Sequence, residues 1–556
     1  MNSHPSTASS PLSLLAERDT TSTAGSTQAS ETATSPPAPL VGEAASDSLF
    51  APRPPIAIMG VPFDNVTGAE AISLIEQMIA SGRPHYLVTP NVDFLVQASR
   101  DLELRKILFE AHLVVCDGTP LVWASRLLGN PLPERVAGAD LVPKLIHVAA
   151  QKGYRLFFLG ATPVAVEHAV QQLRHTYPEL CIAGYYSPPF AELLEMDHDQ
   201  IKQRILAAEP DLLFVAFGCP KQEKWIAMHY RSLGVPLTAG VGGTIDFLGG
   251  TLKRAPVWMQ KSGTEWLFRL VQEPRRLFRR YANDFGIFGW SILPQWWQLK
   301  ARRAFNAQRK SSVKTHSAPT KPASAPAKSD ASPDVASVFD SACQWVCLPE
   351  RLDLIAARQY QATTPKIRET RQHWLLDMSQ VKFIDSTGVG LLIQWKKVAQ
   401  DRGREIVLVS PSSVVQRALS LLRLEDFFLR ANDPLCARQL IDTRMREQAV
   451  RAISIGEGVI SVEWHGDITS ATIHKVWDQT QVYMERSPTS RRWMIELSNV
   501  RFLDSSGLGL MIRLRKLASQ GQVELTFSGL QPAVRNVLRL AHLEEFLLGE
   551  PKHVSS

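Results

Sequence analysis

Four polar residues of different chemistry follow short apolar runs: Thr89 and Asn91 after HYLV, Asp117 after LVVC, and Arg135 within PERVAGAD. A hydroxyl, an amide, a carboxylate and a guanidinium at turns that end strands are offered to a ligand instead of being buried in a sheet. A carboxylate so placed can take the proton of an attacking hydroxyl, and a guanidinium can hold a departing phosphate. Asp117 has an equally good structural use as the cap of a helix beginning near Pro120. On the residues alone both readings stand.

Groups of this kind need a sheet to position them. YLVT (86–89), LVVC (113–116), RLFFLG (155–160), LLFVAFG (212–218) and PLTAGVGG (236–243) are unbroken apolar runs separated by helical stretches. That is the pattern of a parallel sheet covered on both faces. The unit opens at IAIMGVPFDNVTGAEAISLIEQMIASG, read as a strand, a turn and a helix with Ala71, Ile72, Ile75, Met78 and Ile79 at helical spacing. RLFFLGATPVAVEHAVQQL has the layout of a mononucleotide-binding half, in which Gly160 frees the backbone and the helix start near Pro163 offers N–H groups to a phosphate. A lone glycine after a strand is more often simply a turn.

The 556 residues divide by composition. Residues 1–52 are Ser, Thr, Ala and Pro with few large apolar groups and are expected to be disordered. Residues 53–250 form the expected α/β domain. Residues 251–306 form a basic, aromatic appendage in which arginines alternate with Trp266, Phe268, Phe278, Tyr281, Phe285, Phe288, Trp290, Trp296 and Trp297. Over 251–310 there are 13 Lys/Arg against three Asp/Glu, a local net of +10 in a chain of net +7. Such a segment either settles at an anionic lipid interface or packs its aromatics on the domain as a solvated basic helix. No nucleic-acid recognition fold accompanies the charge, so nucleic acid is not an expected partner.

A Pro/Ala/Ser/Lys linker is expected over 307–340. Beyond it, VKFIDSTGVGLLIQWKKVA (381–399) returns as VRFLDSSGLGLMIRLRKLA (500–518), and LEDFF (424–428) as LEEFL (543–547). Two copies of one small domain, 341–445 and 452–550, therefore follow. In each, a serine (Ser386, Ser505) stands where an apolar strand gives way to a helix, a position that tolerates added phosphate and also suits a helix cap.

No apolar run approaches the roughly 20 residues that cross a bilayer. The first residues hold neither a basic leader nor an apolar stretch of signal-peptide length, so a cytoplasmic location is expected. The six cysteines show no CxxC spacing and read as buried thiols in a reducing compartment. Asp197 and Asp199 form an Asp-x-Asp triplet, but in what reads as a solvent-facing helix start, and no metal or other cofactor is expected.

TPNVDFLVQASRD, VVCDGTPLVWASRLLGNPLPERVAGADL, FVAFGCPKQEKWI and VGGTIDFLGGTLKRAPVWMQKSGTEWLFRLVQEPRRLFRRY occur in that order. Together they resemble the WecG/TagA/CpsF glycosyltransferases over residues 56–285. The resemblance implies a Rossmann-like parallel-sheet transferase domain. It implies Asp117 as general base, with Thr89 and Asn91 in the same catalytic pocket and Arg135 near substrate phosphate. It places Gln222 in the pocket and Gly242, Gly243, Thr244 and Asp246 near the nucleotide. Arg269, Arg276 and Arg279 become candidates for gripping a lipid diphosphate, although spacing does not prefer them to Arg275 and Arg280. The implied reaction is inverting transfer of glucose, N-acetylmannosamine or its uronic acid from a UDP-sugar to a saccharide on polyprenyl diphosphate, on the inner face of the cell membrane.

The repeated segments resemble STAS domains of the anti-sigma-factor-antagonist type. That likeness implies Ser386 and Ser505 as phosphoacceptors for a kinase-type protein partner, helped in the second copy by Asp467; its counterpart in the first, Asp353 in PERLDLI, lacks the glycine before it, which implies a less switchable copy. The alternative for the whole chain is a STAS-based regulatory or scaffold protein with a vestigial transferase domain.

Overall fold

The computed structural model describes residues 53–250, 254–313 and 342–548, apart from short gaps at 263, 273, 362–363, 401, 426, 447–449, 457–458 and 486–490. The expectations for 1–52 and for most of the linker lie outside the described residues.

The apolar runs become the strands β3 (His85–Val88), β4 (Leu113–Val114), β5 (Leu156–Gly160), β7 (Leu212–Ala216) and β8 (Leu237–Gly240). With β6 (Ile182–Tyr186) they form a six-stranded parallel sheet in the order β4-β3-β8-β7-β5-β6. β3, β5 and β8 are buried along their whole length, as a sheet with helices on both faces requires. β6 is the edge strand, and its sequence IAGYY is only half-buried, which is why no apolar run announced it.

The opening stretch departs from expectation. β1 (Ile56–Ile58) and β2 (Val61–Phe63) pair antiparallel as a hairpin outside the main sheet, and every one of their residues is buried. Helix α1 (Gly68–Ala80) then begins in a capping box of Thr67 and Glu70. The helices around the site are α2 (Val92–Ala98), α3 (Leu102–Glu110), α4 (Thr119–Leu127), α5 (Gly138–Lys152), α6 (Pro163–Thr176), α7 (His198–Ala208), α8 (Lys221–Leu233) and α9 (Thr244–Leu248).

The appendage is helical: α10 (Val257–Ser262), α11 (Glu265–Gln272) and the long α12 (Pro274–Val313), which continues into the stretch expected to be linker. One face of α12 packs on the domain through Leu277, Phe288 and Ile292. Among the described residues no helix is long and apolar enough to cross a membrane.

The two repeats are small α/β domains. In the first, β9 (Cys343–Cys347), β11 (His373–Asp377), β13 (Ile406–Val409) and β14 (Leu429–Ala431) form a parallel sheet ordered β14-β13-β11-β9. A second parallel pair joins β10 (Arg351–Leu352) and β12 (Phe383–Ile384). In the second, β15 (Val450–Gly456), β16 (Val459–Ile468), β17 (Arg492–Leu503) and β18 (Glu524–Ser528) run in that order. The repeated motif opens the helix Ser386–Gln400 in the first copy and Ser505–Gln520 in the second.

Among the cysteines, Cys116 and Cys343 are buried, but Cys347 and Cys436 are exposed, against the reading of these thiols as buried; none of the six is joined in a disulfide.

Candidate functional site

The site lies at the carboxyl ends of the parallel strands, where an open α/β sheet leaves a crevice. Thr89 and Asn91 follow β3, Asp117 follows β4, Gly218 follows β7, and Gly242 and Gly243 follow β8. They line one cavity of about 640 Å³ together with Arg135, Gln222, Thr244 and Asp246. The appendage closes its other side with Trp266, Arg269, Leu277, Arg280, Tyr281 and Phe285.

Asp117 does not cap the helix that follows it. The N-cap of α4 is Gly118, with no side-chain cap bond. Asp117 Oδ2 instead accepts the Gly138 N–H at 3.3 Å, at the start of α5. A Cβ on Gly138 would stand 3.3 Å from Thr89 Oγ1 and 3.9 Å from Asp117 Oδ2, so the three groups converge there and the glycine leaves them room. Burial pushes the Asp117 carboxyl up to about 6, with Glu265 adding to the effect; the Arg135 and Arg269 charges and the Gly138 N–H oppose it. A carboxylate held near neutrality and facing a cavity is suited to accept a proton from a hydroxyl.

Arg135 is braced, not free. Its guanidinium reaches Asp140 and Glu265, each at 3.1 Å, and Arg254 bridges the same two carboxylates at 2.6 and 3.4 Å. Arg269 stands 3.6 Å from Glu265 and over the Phe247 ring at 5.3 Å. Glu265 and Arg254 thus fasten the appendage to the domain beside Asp117. A diphosphate entering here would exchange partners with these carboxylates at arginines already in position.

Asn91 caps α2, accepting the Phe94 N–H at 3.3 Å. Gln222 is nearly fully buried; its Oε1 accepts the N–H groups of Gly218 at 3.2 Å and Gly242 at 3.1 Å. It therefore ties the loops after β7 and β8 together. Its Nε2 donates to Glu223 Oε1 at 2.7 Å, and burial pushes the Glu223 carboxyl up to about 7. A Cβ on Gly240 would come within 2.7 Å of Gln222 Nε2, so a side chain there would displace this pair.

Of the appendage arginines, Arg269 lines the cavity and so does Arg280, which pairs with Asp93 and Asp284. Arg279 is exposed and is not among the lining residues, and the Arg276 side chain lies outside the described residues. The turn after β5 is likewise not among the lining residues, against the mononucleotide-binding reading: the first turn of α6 is covered by Gly249, whose Cβ position is 2.8 Å from Ala165 O. Asp197 caps α7 and Asp199 pairs with Lys202 at 2.9 Å, so neither belongs to the cavity. Asp140, Arg254, Glu265 and Glu223 were not singled out from the sequence. The only signal for them was their place inside the quoted motifs.

In the repeats, the aspartates and not the serines cap the helices. Asp385 accepts from Thr387 and Gly388 at 2.8 and 3.0 Å, and Asp504 from Ser506 and Gly507 at 2.8 and 3.1 Å. Ser386 and Ser505 are buried, 8% and 5% exposed. Asp353 caps the helix Leu354–Gln361 and pairs with Arg351, while Asp467 pairs with Lys106 and Arg501.

Comparison with known proteins agrees with this anatomy. Residues 56–302 match the glycosyl transferase WecG/TagA/CpsF family, 346–438 match the STAS domain, and 452–549 match the Mlab STAS domain. Proteins of Staphylococcus aureus strains MW2 and MRSA252, each named N-acetylglucosaminyldiphosphoundecaprenol N-acetyl-beta-D-mannosaminyltransferase, are 30% identical over 226 residues. The match covers 40% of this chain and 87% of each relative. A solved structure described as the overall structure of SLC26A9 matches 29% of this chain and 32% of its own at 14% identity, with a TM-score of 0.15, too low to support an argument. The sheet, the cavity at its carboxyl edge and these matches agree: the chain belongs to the WecG/TagA/CpsF glycosyltransferase family and carries two STAS domains behind its transferase part.

Proposed function

We propose that the chain transfers a hexose or N-acetylhexosamine, with inversion, from a UDP-sugar to a saccharide on polyprenyl diphosphate. The observation that carries this reading is the place of Asp117, which lines the cavity with Arg135 and Arg269, accepts the Gly138 N–H, and has its carboxyl pushed up to about 6 by burial. Asp117 takes the acceptor hydroxyl proton as that oxygen attacks the anomeric carbon. The bond from that carbon to the diphosphate oxygen breaks, UDP departs on the arginine side, and the proton passes from Asp117 to solvent. The relatives' names, which specify a diphosphoundecaprenol acceptor, support a lipid-borne acceptor here.

The appendage suits a membrane surface. Its buried face holds it to the domain, while Trp258 (67% exposed), Phe278 (67%) and Trp290 (79%) face outward among basic residues. Phe278→Ala with Trp290→Ala is expected to weaken binding to anionic vesicles about tenfold or more, and unchanged sedimentation with vesicles would remove the membrane from this reading.

The decisive test is UDP release with purified full-length protein, a panel of UDP-sugars and a lipid-diphosphate acceptor. Asp117→Asn should lose about 10² or more in kcat. Wild-type kcat/KM should rise with pH through about 6, as Asp117 ionises. Stability runs the other way. The folded pKa lies above the ordinary 3.8, so the cost of ionisation is absent below that value, grows to about pH 6, and is fully present above it. Asp117→Asn should therefore gain roughly 1–2 kcal/mol of stability at neutral pH, allowing for the carboxyl edge that faces the cavity. Full activity in the variant would overturn the assignment.

A further inference from the structure

Helix α3 carries contacts to the second STAS copy from residues that do not line the cavity. Its residue Glu103 sits at the N-terminus of the second STAS copy's helix Ser505–Gln520. One carboxylate oxygen accepts the Ser505 backbone N–H at 2.6 Å and the other accepts the Ser505 hydroxyl at 2.8 Å. Lys106, one residue short of a turn further along α3, approaches Asp467 at 3.7 Å and the Phe502 ring at 4.6 Å. An anion at a helix N-terminus, doubly hydrogen-bonded and largely shielded from water, is a specific contact and not a chance surface pair.

Glu103 is also tied inward. Lys224 on α8 reaches Glu103 at 3.0 Å and Asp101 at 2.8 Å. α8 carries Gln222, which holds the loops after β7 and β8. Asp101 caps α3 directly after α2, the helix capped by Asn91. A rigid path of two helices and one lysine therefore joins Ser505 to the wall of the cavity.

We infer that the partner of the second STAS copy is the transferase domain of its own chain, and that negative charge at Ser505 competes with Glu103 and releases the copy. Release frees Glu103 from the helix end, so that Lys224 loses a fixed partner and the first turn of α8 loosens. The effect on transfer rests on the proposed function; the docking itself does not.

The test uses the full chain, with hydrogen–deuterium exchange of residues 102–110 and 505–508 as the docking readout and UDP release as the transfer readout. Ser505→Asp should speed exchange in both segments about tenfold or more. It should also raise KM for the sugar nucleotide about three- to tenfold with kcat little changed. Ser505→Ala, which keeps the backbone bond, should show a smaller change and a native melting curve. Adding Glu103→Gln to Ser505→Asp should restore slow exchange, because the amide can donate to the new carboxylate. Unchanged exchange in Ser505→Asp, or no recovery in the double variant, would overturn the latch. Faster exchange with KM unaltered would overturn its link to the cavity. If the wild type transferred no sugar at all, the function proposal would fall while the exchange data still decided the docking.

Discussion

The two STAS copies repeat one motif yet hold the transferase domain by opposite means. The first is fused to it: a single apolar cluster runs from Ile56, Ile58 and Phe109 through Val389, Leu391 and Trp395 to Phe428. Phe109 and Phe427 meet ring to ring at 4.8 Å, and Arg105 donates to the Leu422 carbonyl. The second has its own core, built from Val462, Trp464, Leu503, Met511 and Leu514, to which, among the described residues, the transferase domain adds only the partly buried Leu194. Its contacts with α3 are polar. A shared core does not come apart without exposing apolar surface to water, whereas charged contacts exchange for hydration at small net cost. A duplicated domain has thus become one structural part and one part able to leave.

Glycines at the same repeat position give the largest test. Gly390 faces the β1–β2 hairpin so closely that a Cβ would be 2.6 Å from the Pro55 carbonyl, while its counterpart Gly509 has nothing within 4 Å. Gly390→Ala should cost roughly 1–3 kcal/mol in chemical denaturation. Salt should divide the copies next. Between about 0.01 and 1 M, where the screening length falls from about 30 to about 3 Å, amide exchange at Ser505 should quicken severalfold while exchange at Val389 and Leu391 holds steady. The smallest effect is Gly509→Ala, which should be neutral or stabilise by about 0.5–1 kcal/mol, as alanine does inside a helix. Equal costs at Gly390 and Gly509, or equal salt responses, would erase the distinction.

What the sequence disclosed follows from what local chemistry encodes. The parallel sheet was legible because β3, β5, β7 and β8 are short apolar runs with no polar face. Thr89, Asn91, Asp117 and Arg135 were legible because turns after apolar runs gather at one edge of such a sheet, whereas Gln222, Gly242, Gly243, Thr244 and Asp246 were legible only through the family resemblance; the structure brings all of them around one cavity. The β1–β2 hairpin was misread because its buried face is covered by a helix more than 300 residues away, for which no local pattern exists. One of the carboxylates that brace Arg135 was invisible for the same reason: Glu265 reaches it across 130 residues. Glu103 and Ser505 are 402 apart, and neither has a neighbour in sequence that hints at the other.

The shared core also sets a schedule. Ile56 and Phe109 leave the ribosome long before Phe427 and Phe428, which cover the same cluster. At about 5–20 residues per second, the roughly 320 residues from Phe109 to Phe427 take some 15–60 s to make. Throughout that interval the nascent transferase domain carries an uncovered apolar face of β1, β2 and α3, a ready client for a chaperone. A gene shortened to end after α12 would make that interval permanent, so the transferase part should be produced together with the first STAS copy, as one folding unit.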